Sequence, residues 1–160
     1  MLAAQEARKD VTVDFFRAQR VTSAEAQVAY GLVAMSHPHV SPAAWSRYLR
    51  AQGRHGGKER GLIALKDSRG CMHALFAFAV APSLEGEATL HVTELAVARL
   101  PGTTLIDSLV CFANKLAVEL GLPAIQLDLQ PSAVWEQDRQ AMAQSGFTLD
   151  RVTLRGRAAG

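Results

Sequence analysis

Residues 95–110 read LAVARLPGTTLIDSLV. An apolar run ends at Arg99, Pro101 and Gly102 make a tight turn, and Thr103 and Thr104 place hydroxyls at the start of an apolar pattern with a different period. The first turn of a helix leaves backbone N–H groups unpaired at the positive end of the helix dipole. A glycine beside them lets a large anion come close to the backbone. The stretch Arg99-Leu100-Pro101-Gly102-Thr103-Thr104 thus has the parts of an anion site. The same residues also fit an ordinary capped turn, because Thr104 and Asp107 form a T-x-x-D pattern that would occupy those donors without any ligand.

The remaining residues with chemical potential are scattered. The run HPH supplies His37 and His39, with no carboxylate or cysteine nearby in sequence to complete a metal site, and it reads as a turn, with a loop or substrate-side role as the alternative. His55 and His73 stand alone. The two cysteines, Cys71 and Cys111, lack metal-ligand spacing. Cys111 falls in an apolar helical pattern and reads as a buried, inert thiol. No Ser-His-Asp arrangement and no phosphate-loop lysine is visible. No metal is expected. Trp45, Tyr48 and Trp135 read as packing residues.

Composition bounds what these residues can belong to. The 160 residues suit one domain over 1–160, with 1–10 as an N-terminal arm. Hydrophobic residues make up 49% and charged residues 20%, a globular balance rather than a disordered one. A formal charge of +2 with dispersed basic residues gives no footprint for nucleic acid. The longest apolar run, ALFAFAVA at 74–81, is too short to span a bilayer. The start, MLAAQEARKD, has no secretory pattern, so a cytoplasmic location is the expectation.

The elements that must position the turn follow in order. VTVDFFRA (11–18) is expected to be a strand. Thr22 and Glu25 form a capping box for a helix running to about Met35. Ser41 caps a second helix with Pro42 at its first position; Trp45, Tyr48 and Leu49 share one face, and Gly53 stops it. LIALKD (62–67) and MHALFAFAVA (72–81) form a hairpin, and ATLHVTELAV (88–97) is the third strand of that meander. Leu105, Leu109, Phe112, Leu116 and Leu120, widened by Ile106, Val110 and Ala117, mark a helix that Gly121 and Pro123 end. AIQLDL (124–129) is a strand, a last helix runs from Pro131 and Ser132 to Gly146, and FTLDRVTLRGR closes with a strand. The order β-α-α-β-β-β-α-β-α-β defines an α+β fold, with a mixed, mostly antiparallel central sheet and helices on both faces. The apolar strands call for burial on both faces.

This element order, the strand-turn-helix at 88–120 and the helix closing in SGF resemble the GCN5-related N-acetyltransferase fold over essentially the whole chain. That family's signature loop is Gln/Arg-x-x-Gly-x-Gly/Ala. Arg99 and Gly102 match it, and Thr104 stands at the last position. The resemblance implies acetyl-CoA as cosubstrate. Main-chain groups near Leu95 and Val97 would hold its pantetheine arm, and Arg99, Leu100, Gly102, Thr103, Thr104 and Leu105 its phosphates. It also implies that the fourth strand splays from the fifth, and that the first two helices line the acceptor side. Acyl transfer to an amine needs the amine neutral, and His91 or Glu94 would take its proton. Their odd separation puts them on opposite faces of the strand. His91 lies six residues before Val97, where some members of the family carry a catalytic glutamate.

Three positions depart from the family pattern. Only Ala98 separates Val97 from Arg99, Pro101 lacks an N–H, and Met142 stands where the family often has a proton-donating tyrosine. The functional expectation is an acetyl-CoA-dependent N-acetyltransferase acting by direct transfer on a small-molecule or protein amine. The alternatives are a non-catalytic domain of the same fold that binds acyl-CoA or a protein partner, and an unrelated interaction domain whose loop is only a capped turn. An exposed sheet edge would support a homodimer, although nothing in the sequence demands one.

Overall fold

The computed structural model describes residues 16–54, 57–84, 86–98, 105–129, 140 and 142–148. Nine elements run in the order β1 (Arg17–Arg20), α1 (Ser23–Val28), α2 (Tyr30–Ser36), α3 (Pro42–Arg54), β2 (Arg60–Lys66), β3 (Met72–Ala81), β4 (Thr89–Val97), α4 (Ile106–Glu119) and β5 (Ala124–Asp128) among the described residues. The strands form one sheet in chain order, β1-β2-β3-β4-β5. The first four pair antiparallel, and β5 pairs parallel with β4. A parallel pair needs a crossover connection, and α4 lies on it.

Local chemistry explains the boundaries. The Thr22 side chain accepts from the Glu25 N–H, and the Glu25 carboxylate accepts from the Thr22 N–H, so the capping box forms as expected. Ser41 Oγ accepts from the Ala44 N–H at 3.1 Å and starts α3 at Pro42. After α4, Gly121 takes a φ of +67°, Leu122 N–H reaches the Ala117 carbonyl at 2.8 Å, and Gly121 N–H reaches the Val118 carbonyl at 3.1 Å. These two bonds satisfy carbonyls that the helix end leaves unpaired, in a geometry glycine adopts without steric cost.

Both faces of the sheet are covered. On one, Ile63, Leu65, Phe76, Phe78, Leu90 and Val92 pack with Leu109, Ala113, Leu116 and Ala117 of α4. On the other, Leu62, Leu75 and Ala96 pack with Ala26, Ala29, Leu32, Val33 and Trp45 of α1–α3. Burying each large side chain contributes about 1.5–3 kcal/mol, so both layers depend on the strands being apolar in both directions. Trp45 is a packing residue, with its indole N–H donating to the Ala26 carbonyl at 2.9 Å and its ring stacked on Tyr48. No helix among the described residues is long and apolar enough to cross a membrane.

Several expectations need correction. The helix expected from Thr22 to Met35 is broken at Ala29 into α1 and α2. α3 passes Gly53 by one residue to end at Arg54, and β2 begins two residues before Leu62. β1 extends to Arg20, and residues 11–15 of the expected first strand lie outside the described residues. Cys111 is exposed rather than buried. The buried positions of α4 are Ile106, Leu109, Val110, Ala113, Leu116 and Ala117, and residue 111 falls on the opposite side of a 3.6-residue repeat. His73 is not alone, because its Nε2 pairs with Asp67 Oδ2 at 2.9 Å. Most of the last helix, the region of Trp135 and the core of the final strand lie outside the described residues, as does His55.

Candidate functional site

The β3–β4 ladder slips at Leu95, near which the family resemblance implies main-chain contacts to a pantetheine arm. Phe76 pairs with Glu94 and Leu75 with Ala96, so Leu95 has no partner across the ladder. An extra residue of this kind bends its strand and sharpens the local twist. On the other edge of β4, pairing with β5 runs from Thr89–Ala124 to Thr93–Asp128 and stops there. β4 from Glu94 to Val97 is therefore held by β3 and unpaired by β5 among the described residues. The Ala98 N–H donates to the His73 carbonyl at 2.7 Å. Successive backbone groups of an extended strand alternate in direction, so the Val97 N–H is directed at the opposite edge, which β5 does not pair.

The bulge is secured by a residue of the HPH run. His37, at the C-terminus of α2, places Nε2 2.5 Å from the Leu95 carbonyl oxygen. The carbonyl can only accept, so the proton sits on Nε2. The HPH run does form the expected turn, with the Val40 N–H donating to the His37 carbonyl at 3.0 Å, and what the sequence hides is the side chain's partner, a backbone atom 58 residues away.

His91 and Glu94 lie on opposite faces, as their spacing implied. Glu94 pairs with Phe76, whose side chain lies in the α4 layer, while His91 pairs with Ala79 on the α1–α3 side. His91 Nε2 stands 2.6 Å from Asp128 Oδ2, and Gln126 Nε2 donates to Asp128 Oδ1 at 3.4 Å. Thr89, His91 and Thr93 of β4 share this face with Gln126 and Asp128 of β5 by register. The side chains of His91 and Asp128 are 33% and 42% exposed, so solvent and a small solute can reach them. In the sequence, Asp128 reads only as part of a strand. Its signal was the alternation of Ile125 and Leu127, which pack toward α4, with Gln126 and Asp128, which cannot.

The other expected positions are brought together only in part. Leu105 is the residue before α4, with φ −87° and no side-chain capping bond. Arg99, Leu100, Gly102, Thr103 and Thr104 lie outside the described residues, so the anion loop and its capped-turn alternative do too. At the end of the last helix Gly146 has φ +84°, and the Met142 carbonyl accepts the N–H groups of Ser145 and Phe147 at 3.1 and 3.0 Å. This turn fixes Met142, whose thioether has no proton to give. Among the described residues, no group of three histidine, cysteine or acidic side chains gathers to hold a metal.

No protein-family model matches the sequence, and no curated protein matches it. Solved structures do. Glucosamine-6-phosphate N-acetyltransferase from Arabidopsis thaliana is 12% identical, with a TM-score of 0.66 over 89% of this chain and 97% of that one. An aminoglycoside N-acetyltransferase solved in complex with CoA is 9% identical, with a TM-score of 0.67 over 89% of this chain and 94% of its own. A GNAT family acetyltransferase from Staphylococcus aureus is 9% identical, with a TM-score of 0.65 over 89% of this chain and 98% of its own. The fold is that of the GCN5-related N-acetyltransferases.

Proposed function

We propose that the chain is an acetyl-CoA-dependent N-acetyltransferase that acts on an amine by direct transfer. The observation that carries this reading is the edge of β4 beyond Thr93, bulged at Leu95 and unpaired by β5 among the described residues. An extended pantetheine arm can add to such an edge through main-chain hydrogen bonds, as a peptide strand would. The Val97 N–H would be a donor to that arm. The second lone pair of the Leu95 carbonyl would be an acceptor, the first being taken by His37. Arg99, Leu100, Gly102, Thr103, Thr104 and Leu105 would hold the phosphates at the start of α4.

His91 is the better base of the two candidates. It lies on the α1–α3 side, where the acceptor enters in this reading, and its ring has a carboxylate partner. Holding the amine beside the thioester supplies the proximity on which direct transfer depends. A strand N–H near the bulge would stabilise the developing oxyanion. The acceptor would be a small-molecule or protein amine.

The non-catalytic alternative rests on Met142, which cannot protonate a leaving thiolate. Isothermal titration of acetyl-CoA, with free CoA as the comparison, tests the cofactor reading first. Micromolar binding of both supports it, and no binding at high concentration overturns it in favour of a protein-binding domain. If an amine is turned over, equal rates for wild type, His91→Ala and Glu94→Ala across pH would remove both bases.

A further inference from the structure

We infer that Asp128 is a positioning residue for His91, fixing which ring nitrogen can accept the amine's proton. This rests on the acetyltransferase reading above, but its geometry does not. His91 Nε2 and Asp128 Oδ2 are 2.6 Å apart, a charge-assisted distance. A carboxylate can only accept, so the shared proton belongs to Nε2 and the neutral ring keeps its lone pair on Nδ1.

The parallel register builds this pair. His91 stands opposite Gln126 and Thr93 opposite Asp128, so the two partners are diagonal neighbours on one face, within reach of an imidazole. Gln126 donates to the other carboxylate oxygen, which restrains the rotation of the Asp128 side chain. The pair spans the end of the β4–β5 pairing, from the His91–Gln126 rung to the Thr93–Asp128 rung, on the side of the sheet away from α4.

The proton accounting closes without another reactant. An ammonium gives one proton to His91 Nδ1 and becomes a nucleophilic amine. The imidazolium then carries a proton on each nitrogen, with the Asp128 carboxylate opposing its charge. The amine nitrogen forms a bond to the thioester carbon, the carbon–sulfur bond breaks, and the thiolate takes the nitrogen's second proton. His91 returns its proton to water. Removing the carboxylate leaves the imidazole able to rotate, so its lone pair is no longer held in one place.

Nitrogen-15 NMR of the full chain, without CoA or amine, tests the positioning. The His91 ring is assigned as the signal missing in His91→Gln. In the wild type, the neutral ring should show its N–H on Nε2, with a proton protected from exchange with water. In Asp128→Ala that protected signal should be lost. In Asp128→Asn, whose amide oxygen can still accept, it should persist with faster exchange. A wild-type proton on Nδ1, or a signal unchanged in Asp128→Ala, overturns the inference. Unshifted backbone amides elsewhere separate loss of positioning from unfolding, and the asparagine variant serves if the alanine variant does not fold. Since no cofactor is added, failure here is distinct from failure to bind acetyl-CoA. With an amine that is turned over, Asp128→Ala should lower kcat tenfold or more and leave KM for acetyl-CoA within twofold.

Discussion

Glu25 ties two elements of the chain together. Its carboxylate caps α1 through the Thr22 N–H and pairs with the Lys66 ammonium at the end of β2. The Lys66 bond first, and then the backbone bond from Thr22, hold its pKa down at about 2. A carboxyl lowered in the folded state contributes stability that is present above its unfolded value and lost as pH falls through the folded one. Thermal melts of wild type and Glu25→Gln should therefore differ at neutral pH and converge between about pH 4.5 and 2. A gap that stays constant through that window would show that the Lys66 pair does not matter. His37 is the second residue with reach beyond its own element. Truncating it leaves the Leu95 carbonyl without its donor, and an unmet, partly buried acceptor costs about 1–3 kcal/mol. His37→Ala should lose that much in urea unfolding. A loss below half a kcal/mol would mean that the bulge does not depend on α2.

The elements were legible where their signal repeats along the chain. The three- and four-residue spacing of Leu105, Leu109, Phe112, Leu116 and Leu120 found α4, and Thr22 with Glu25 found the start of α1. The bulges were not legible. A period of two assumes that no residue is inserted, so nothing in TELAV marks Leu95 as unpaired, or His73 as the residue skipped between the Leu65–Ala74 and Lys66–Met72 pairs. The partners of His37 and His91, at Leu95 and Asp128, were hidden for a related reason, because each is set by register between elements far apart in sequence. Strand and helix glycines carry the same lesson, and they give opposite predictions. A Cβ at Gly61 would stand 2.9 Å from Cε1 of Phe78, whose ring is fully buried under the α4 layer. The ring has nowhere to move, so Gly61→Ala should cost about 1–3 kcal/mol. Gly31, in α2, has nothing within 4 Å of such an atom. Gly31→Ala should stabilise by roughly 0.5–1 kcal/mol through helix propensity alone. Chemical denaturation of the two variants decides between packing and backbone as the governing term, and a matching sign would refute the contrast.

At the scale of the molecule, one sheet serves two hydrophobic layers, and the stretch of β4 that β5 leaves unpaired lies where both meet the strand. Ala96 packs against α1–α3, while Val97 packs against the α4 layer. A ligand seated along Glu94–Val97 would brace both layers at once, so its binding should register in global stability. A ligand that binds only the folded chain stabilises it by about 2.7 kcal/mol at 100 times its Kd. For a chain of 160 residues, each kcal/mol raises Tm by about 2–4 °C, so acetyl-CoA should raise Tm by roughly 5–10 °C. Thr104→Glu separates the loop from the strand in this effect. A carboxylate in the loop would repel a pyrophosphate at the start of α4, and the shift should vanish. If the variant responds to acetyl-CoA as the wild type does, Arg99 to Leu105 is only a capped turn, and the ligand is held by β4 alone. If neither protein responds to acetyl-CoA or CoA, the cleft does not bind this cofactor, and the polar face around His91 and Asp128 is left to be explained by a different ligand.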